Sequence, residues 1–423
     1  MFRARSLCLA GVGVFCLPMG AVETVSGVEC GAARILCVDD TPTAEREYES
    51  IQAAVDDARR GDTVMVFPGR YAGFRVTRSG TRKRPIVIQA FGRARVVDPA
   101  AGDDRGIHLS RVSYVEIRDF VVSAARMRQG IAASDATANN PMRGLMIVGN
   151  EVSGARSTNI YLSQVADSLV AGNTASGSRE SHGIYLANAG SDGTELRGNR
   201  CFGNAKNGIH LNGDARVGGD GVHTDVIADG NVLHDNAANG FDLDGVREST
   251  FVNNVAYDNG RHGPRAFAID AAAGPARLVI ANNTFVDNAG WAIKLTQDDG
   301  GHRVFNNTML SDAGGLAVDA GLRADYNVAA VFSLDGDTTL LDLEQWQAAG
   351  RGANSFVASR TALFQRANKS DYHLRKTSPA LDAGTRRFGG EAAPELDADR
   401  LPRPDGAAYD IGAYERDTQA KSR

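Results

Sequence analysis

The chain has 423 residues, 46 Lys and Arg against 51 Asp and Glu, a net charge of −5, 43% hydrophobic residues and 48 glycines. That length and apolar content suffice to bury a long core, and the mildly acidic balance leaves no electrostatic footprint for nucleic acid. No CxxC pair or His/Cys cluster points to zinc.

The first 21 residues read as a signal peptide. Arg3 and Arg5 form a basic start, Leu7 to Leu17 an apolar stretch, and cleavage after Ala21 fits the pattern. The apolar run is too short for a transmembrane span, so none is expected after signal removal. Losing Arg3 and Arg5 takes the net charge to −7. The expected product is a secreted or periplasmic monomer. Of its three cysteines, Cys30 and Cys37 could pair in an oxidising compartment, and Cys201 reads as a small core residue.

Residues 22–62 form an N-terminal segment with a capping helix. Its pattern predicts a helix over 48–60, with Ile51, Ala54, Val55 and Ala58 on one face. Gly61-Asp62 ends it, and Thr63 to Phe67 begins a strand. Residues 63–327 carry a repeat. An Asn recurs at positions 150, 173, 199, 231, 254, 283 and 307, at intervals of 23, 26, 32, 23, 29 and 24 residues. Periods of this size mean a solenoid. A second piece recurs beside it: Gly106-Ile107-His108-Leu109, Asn159-Ile160-Tyr161-Leu162, Gly183-Ile184-Tyr185-Leu186, Gly208-Ile209-His210-Leu211, Gly240-Phe241-Asp242-Leu243, Ala268-Ile269-Asp270 and Ala292-Ile293-Lys294-Leu295. Short β-branched runs broken by Gly, Asn and Asp read as strands and turns. Stacked coils of such strands give an all-β fold, the right-handed parallel β-helix. The Asn column is structural in this reading, because Asn tolerates the left-handed conformation at a coil corner and can bond its neighbour in the stack. Residues 328–423 form an irregular tail that packs back along the coils, with a short helix near Leu341 to Gly350.

Ser50-Ile51-Gln52-Ala53-Ala54-Val55, Arg60-Gly61-Asp62-Thr63-Val64, Pro68-Gly69-Arg70-Tyr71 and Arg84-Pro85-Ile86 resemble the start of secreted bacterial β-helix proteins of the pectate-lyase-like superfamily. The segments around His182 to Tyr185, Gly208 to Asp214, Asp371 to Leu374, Ser378 to Gly384 and Asp410 to Glu415 are similar to a bacterial subfamily of that fold. The resemblance implies the fold and a polysaccharide ligand. No clear counterpart appears of the pectate lyases' four-carboxylate calcium cluster, of the Lys-and-Arg pair of the chondroitinase B group, or of the epimerases' Asp-Pro-His-Asp motif.

Aligning the coils on the Ile or Phe anchor places one column outward, since strand side chains alternate. It reads Tyr161, Tyr185, His210, Asp242, Asp270 and Lys294, and the next column reads Ser163, Ala187, Asn212, Asp244, Ala272 and Thr296. A uronic-acid lyase needs its sugar carboxylate neutralised, a base for the adjacent proton and an acid for the leaving oxygen. Lys294, His210 or a tyrosine such as Tyr185 could be the base. Asp242, Asp244 and Asp270 could hold Ca²⁺, which takes several oxygen ligands. His182, Asn212, Asp214, Tyr161 and Trp291 are candidates for contacting an acidic polysaccharide. The paired carboxylates Asp242 and Asp270 would equally suit glycoside hydrolysis. A non-catalytic carbohydrate-binding surface is the third reading. Against all three stands a solvated polar face, in which Asp270 and Lys294 are a surface ion pair. His182 could pack a turn and Trp291 a corner; His302 and His373 read as surface residues.

Overall fold

A computed structural model describes residues 35–40, 47–188, 191–319 and 321–416. The expected signal segment and Cys30 lie outside the described residues; Cys37 is disulfide-bonded. Three parallel sheets of 12, 11 and 10 strands run the length of a right-handed β-helix. The first begins at Ile35–Val38, paired in parallel with Thr63–Val66, so its opening strand precedes the helix. The second runs from Phe74–Val76 to Phe332–Ser333, the third from Gly69–Ala72 to Thr308–Leu310.

Inward columns fill the core with aligned apolar side chains. In the second sheet Ile107, Ile131, Ile160, Ile184, Ile209 and Phe241 stack in register, beside Leu109, Ala133, Leu162, Leu186, Leu211 and Leu243. All are at most 1% exposed, so every coil buries its apolar face only against its neighbours. The N-terminal end is covered by the helix Ile51–Asp57, whose N-cap Ser50 accepts from the Ala53 amide. At the other end Leu343–Ala348 is capped by Asp342 and Gln345, and its Trp346 stacks on Phe332 at 4.6 Å.

The repeated Asn residues form a buried hydrogen-bond ladder. Each donates its side-chain amide to the Oδ1 of the next, from Asn150 through Asn173, Asn199, Asn231, Asn254, Asn283 and Asn307 to Asn327, at 2.9–3.1 Å. The same Oδ1 accepts the backbone N–H of the preceding Asn, as where Asn199 N donates to Asn231. The left-handed corner falls one residue earlier than the sequence reading placed it. Positive φ belongs to Gly149, Gly172, Gly198, Gly230, Asn253, Asn282 and Asn306, which leaves the ladder Asn free to turn inward. A second ladder follows five residues on, linking Asn204, Asn236, Asn259 and Asn288 at 2.8–2.9 Å.

The tail packs on the outer face of the third sheet. Tyr372, Leu374 and Ile411 bury against Val255, Tyr257 and Val286. Arg403 and Glu415 pair at 2.7 Å, at most 2% exposed. His373 and His302 are not bare surface residues. His302 is fully buried, with its Nδ1 accepting from the Leu278 amide. His373 lies between Asp371 (2.7 Å) and Asp399 (2.8 Å) and stacks on Tyr414 at 4.0 Å.

Asn231→Ala strips acceptors from two buried donors of Asn199 and should cost about 2–4 kcal/mol; an unchanged thermal midpoint would rule out a ladder that sustains the fold. The Asp399 bond, outweighing burial and joined by Asp371, raises the His373 pKa to about 8. The stabilisation from this contact is complete below the unfolded value near 6.5 and fades as pH rises through 8. The thermal midpoint should therefore fall between pH 7 and 9 by more in the native chain than in His373→Gln, and identical profiles would contradict the clamp.

Candidate active site

The outer face of the second sheet aligns Tyr161, Tyr185, His210, Asp242, Arg265 and Lys294 in one column. Arg265, not Asp270, occupies the fifth place. The strand there is Pro264–Phe267, in which Pro264 stands opposite the anchor Phe241 and hides the motif. Ile269, the expected anchor, is instead 65% exposed in the following loop. The adjoining column reads Ser163, Ala187, Asn212, Asp244 and then Phe267, in place of the expected Ala272.

At the centre His210 and Asp242 meet on neighbouring coils. His210 Nδ1 lies 3.0 Å from the Asp242 carbonyl and 3.2 Å from its Oδ2. Asp242 is fixed in turn by the side-chain amides of Asn239 (2.7 Å) and Asn207 (3.1 Å). Those amides belong to a third stack, at the corner entering the sheet. There Asn207 N donates to His182 Nδ1, Asn239 N to Asn207 Oδ1, His262 N to Asn239 Oδ1 and Trp291 N to His262 Nδ1. His182 and His262 thus act as backbone acceptors. Burial, with His210 and Lys206 nearby, lowers His182 to about 2. Burial, with Lys294 and Arg265 nearby, lowers His262 to about 4. Both rings are neutral at ordinary pH.

Aromatic rings continue the face toward the N-terminal coils. His210 stacks on His182 at 4.6 Å and lies 4.8 Å from Tyr185, which meets Tyr161 edge-on at 5.6 Å. Burial first, then Tyr161 and the carboxylates of Asp214, Asp270 and Asp244, raise the Tyr185 pKa, so its phenol keeps its proton. Toward the C-terminal coils two cations are consecutive. Arg265 lies over the Phe267 ring at 4.3 Å, and Lys294 pairs with Asp337 at 2.6 Å, not with Asp270.

Asp270 belongs to the rim. Its carboxylate pairs with Arg216 at 2.9 Å, and Arg216 also holds Asp214, which joins the 213–222 loop to the 268–272 loop. Asp244 anchors the same loop, since its oxygens accept the amides of Ile269 (2.9 Å) and Asp270 (3.0 Å). The expected Asp242, Asp244 and Asp270 calcium set therefore does not fit: one carboxylate is held by amides, one by backbone N–H groups and one by a guanidinium. Among the described residues no three acidic, imidazole or thiol groups converge on a point. Trp291 is 3% exposed and packs over Gly314, so it offers no face to a sugar. Asn212 stands beside Asp244 at the strand end, half-buried.

Sequence reasoning missed Arg265, His262, Asn207 and Asn239. A usable signal existed: His182, Asn207, Asn239 and His262 each directly precede a Gly that opens the strand. Following that pattern to His262-Gly263 would have placed Arg265 in the column.

Comparison with known proteins agrees with this architecture. The family described as the right-handed β-helix region matches residues 105–272. A curated relative, pectate lyase PEL9 of Emericella nidulans, is 24% identical over 404 residues, covering 83% of this chain and 91% of its own. The crystal structure of pectate lyase Pel9A superposes with a TM-score of 0.61 at 17% identity, covering 92% of this chain and 98% of its own. XylC in complex with xylose gives 0.55 at 10% identity (90% and 98%), and an alginate lyase from a Paenibacillus species gives 0.50 at 17% (66% and 92%). The column of outward side chains described above is thus carried on a right-handed parallel β-helix, the fold this chain shares with pectate lyase Pel9A.

Proposed function

We propose that this protein is a polysaccharide lyase that cleaves a uronic-acid-containing polysaccharide by β-elimination. One observation carries the reading: a His–Asp pair, a protonated tyrosine and two consecutive cations share one column on neighbouring coils. Arg265 and Lys294 take up the sugar carboxylate, which makes the neighbouring C–H acidic. With Nδ1–H turned to Asp242, His210 presents a free lone pair at Nε2 and removes that proton. The electron pair of the C–H bond becomes the double bond of the new unsaturated sugar, the glycosidic C–O bond breaks, and Tyr185 gives its proton to the departing oxygen. Asp242 positions the base without touching substrate, and Tyr161 and His182 shape the adjoining subsite.

The relatives named pectate lyase and alginate lyase support the class but not the particular uronan. The alternative of a glycoside hydrolase loses its pair, because Asp270 stands in the rim with Arg216 rather than beside Asp242. Export belongs to the same proposal: residues 1–21 have the pattern of a signal, and no helix among the described residues is long and apolar enough to cross a membrane.

Incubation with a panel of uronans, followed by absorbance of the unsaturated product, tests the reaction. New absorbance is expected. Reducing ends without absorbance would indicate hydrolysis, and binding with neither would indicate a non-catalytic module. His210→Ala and Tyr185→Phe should each lower kcat by about 10²–10⁴-fold while the thermal midpoint stays within a few degrees. Retained turnover in both would sink this assignment of acid and base.

A further inference from the structure

The tail encloses a cleft of about 1100 Å³ on a different face of the solenoid from the column. Four permanently charged cations, Arg366, Arg375, Lys376 and Arg416, line it beside His373. The nearby acids are already engaged. Asp371 takes Arg366 at 2.8 Å, Asp399 takes His373, and Glu415 is buried against Arg403. Arg375, Lys376 and Arg416 have no carboxylate partner among the described residues, Arg375 donating instead to the Thr361 carbonyl at 2.5 Å, so three positive charges line one concavity of a chain whose net charge is −5. Its floor is apolar, where Phe364 and Leu374 face each other across an antiparallel pair. Asn368 and Thr377 add exposed groups that can bond hydroxyls.

We propose that this cleft is a second binding site, which holds an acidic oligosaccharide away from the catalytic face. The choice of a uronate over another polyanion rests on the lyase reading; the surplus charge and the shape do not. A segment held there makes or breaks no bond. It keeps the polymer on the enzyme and raises the concentration of its chain near the column.

Affinity electrophoresis of the full-length chain in gels containing polygalacturonate, alginate or neutral xylan tests the site independently of turnover. The background is His210→Ala, so that cleavage does not alter the gel. Adding Lys376→Glu and Arg416→Glu should weaken retention on the uronan gels by about tenfold or more, with xylan migration unchanged. The same two substitutions in the native background should leave turnover of short oligouronides unaltered. Equal retention with and without charge reversal would overturn the proposal, and so would an equal loss on xylan. Stronger retention on polyphosphate than on either uronan would overturn the choice of ligand. If the native chain yields no unsaturated product but retention still depends on Lys376 and Arg416, the lyase reading falls and the cleft stands.

Discussion

The fold depends on buried amide ladders. An Asn side chain inside the coil wall has one acceptor and two donors to satisfy away from water, and an unpaired buried polar group is costly. Stacking identical residues solves this repeatedly: each Oδ1 takes an N–H and an amide of the preceding coil, and each Nδ2 also reaches a backbone carbonyl such as Val170 O from Asn199. The ladder therefore fixes which residue of one coil lies above which residue of the next. Insertions that lengthen a coil to 32 or 29 residues are expelled as loops, because the interval between ladder rungs can vary only outside the wall.

That register builds the candidate site. Groups about 4.8 Å apart on neighbouring strands would repel or collapse if left to surface rotamers alone. Here the corner stack of His182, Asn207, Asn239 and His262 both caps the backbone and reaches out to hold Asp242. Asp242 then orients His210. Structural and positioning roles are thus continuous: amides that satisfy the corner also hold the carboxylate that lies against the histidine. The rim works in the same way, with buried Asp244 drawing a loop inward by its backbone so that Asp270 and Arg216 can close it.

The Asn spacing made the solenoid legible, and the Ile-x-Leu motif correctly aligned Tyr161, Tyr185, His210, Asp242 and Lys294. It failed at one coil. Pro264 replaces the usual branched anchor, while the nearby Ala268-Ile269-Asp270 imitates it, so a local pattern pointed one loop too late. The error removed an arginine from the column and inserted an acid, which made a calcium site and a carboxylate pair look reasonable. The partners of Lys294 and His373 were illegible for a different reason. Asp337 and Asp399 are distant in sequence and arrive through the tail, whose path no repeat encodes. Trp291 shows the limit of residue type alone: beside the column it reads equally as a sugar platform or as corner packing, and its burial against Gly314 decides for packing.

The proposed reaction requires that Arg265, and not Asp270, hold the substrate carboxylate beside His210. It is tested most directly by comparing kcat/KM for unsaturated-product formation in Arg265→Ala and Asp270→Ala. The account predicts a loss of about 10²-fold or more for Arg265→Ala, and a change within about tenfold for Asp270→Ala, whose partner is a rim arginine. Near-normal turnover in Arg265→Ala together with abolished turnover in Asp270→Ala would contradict it.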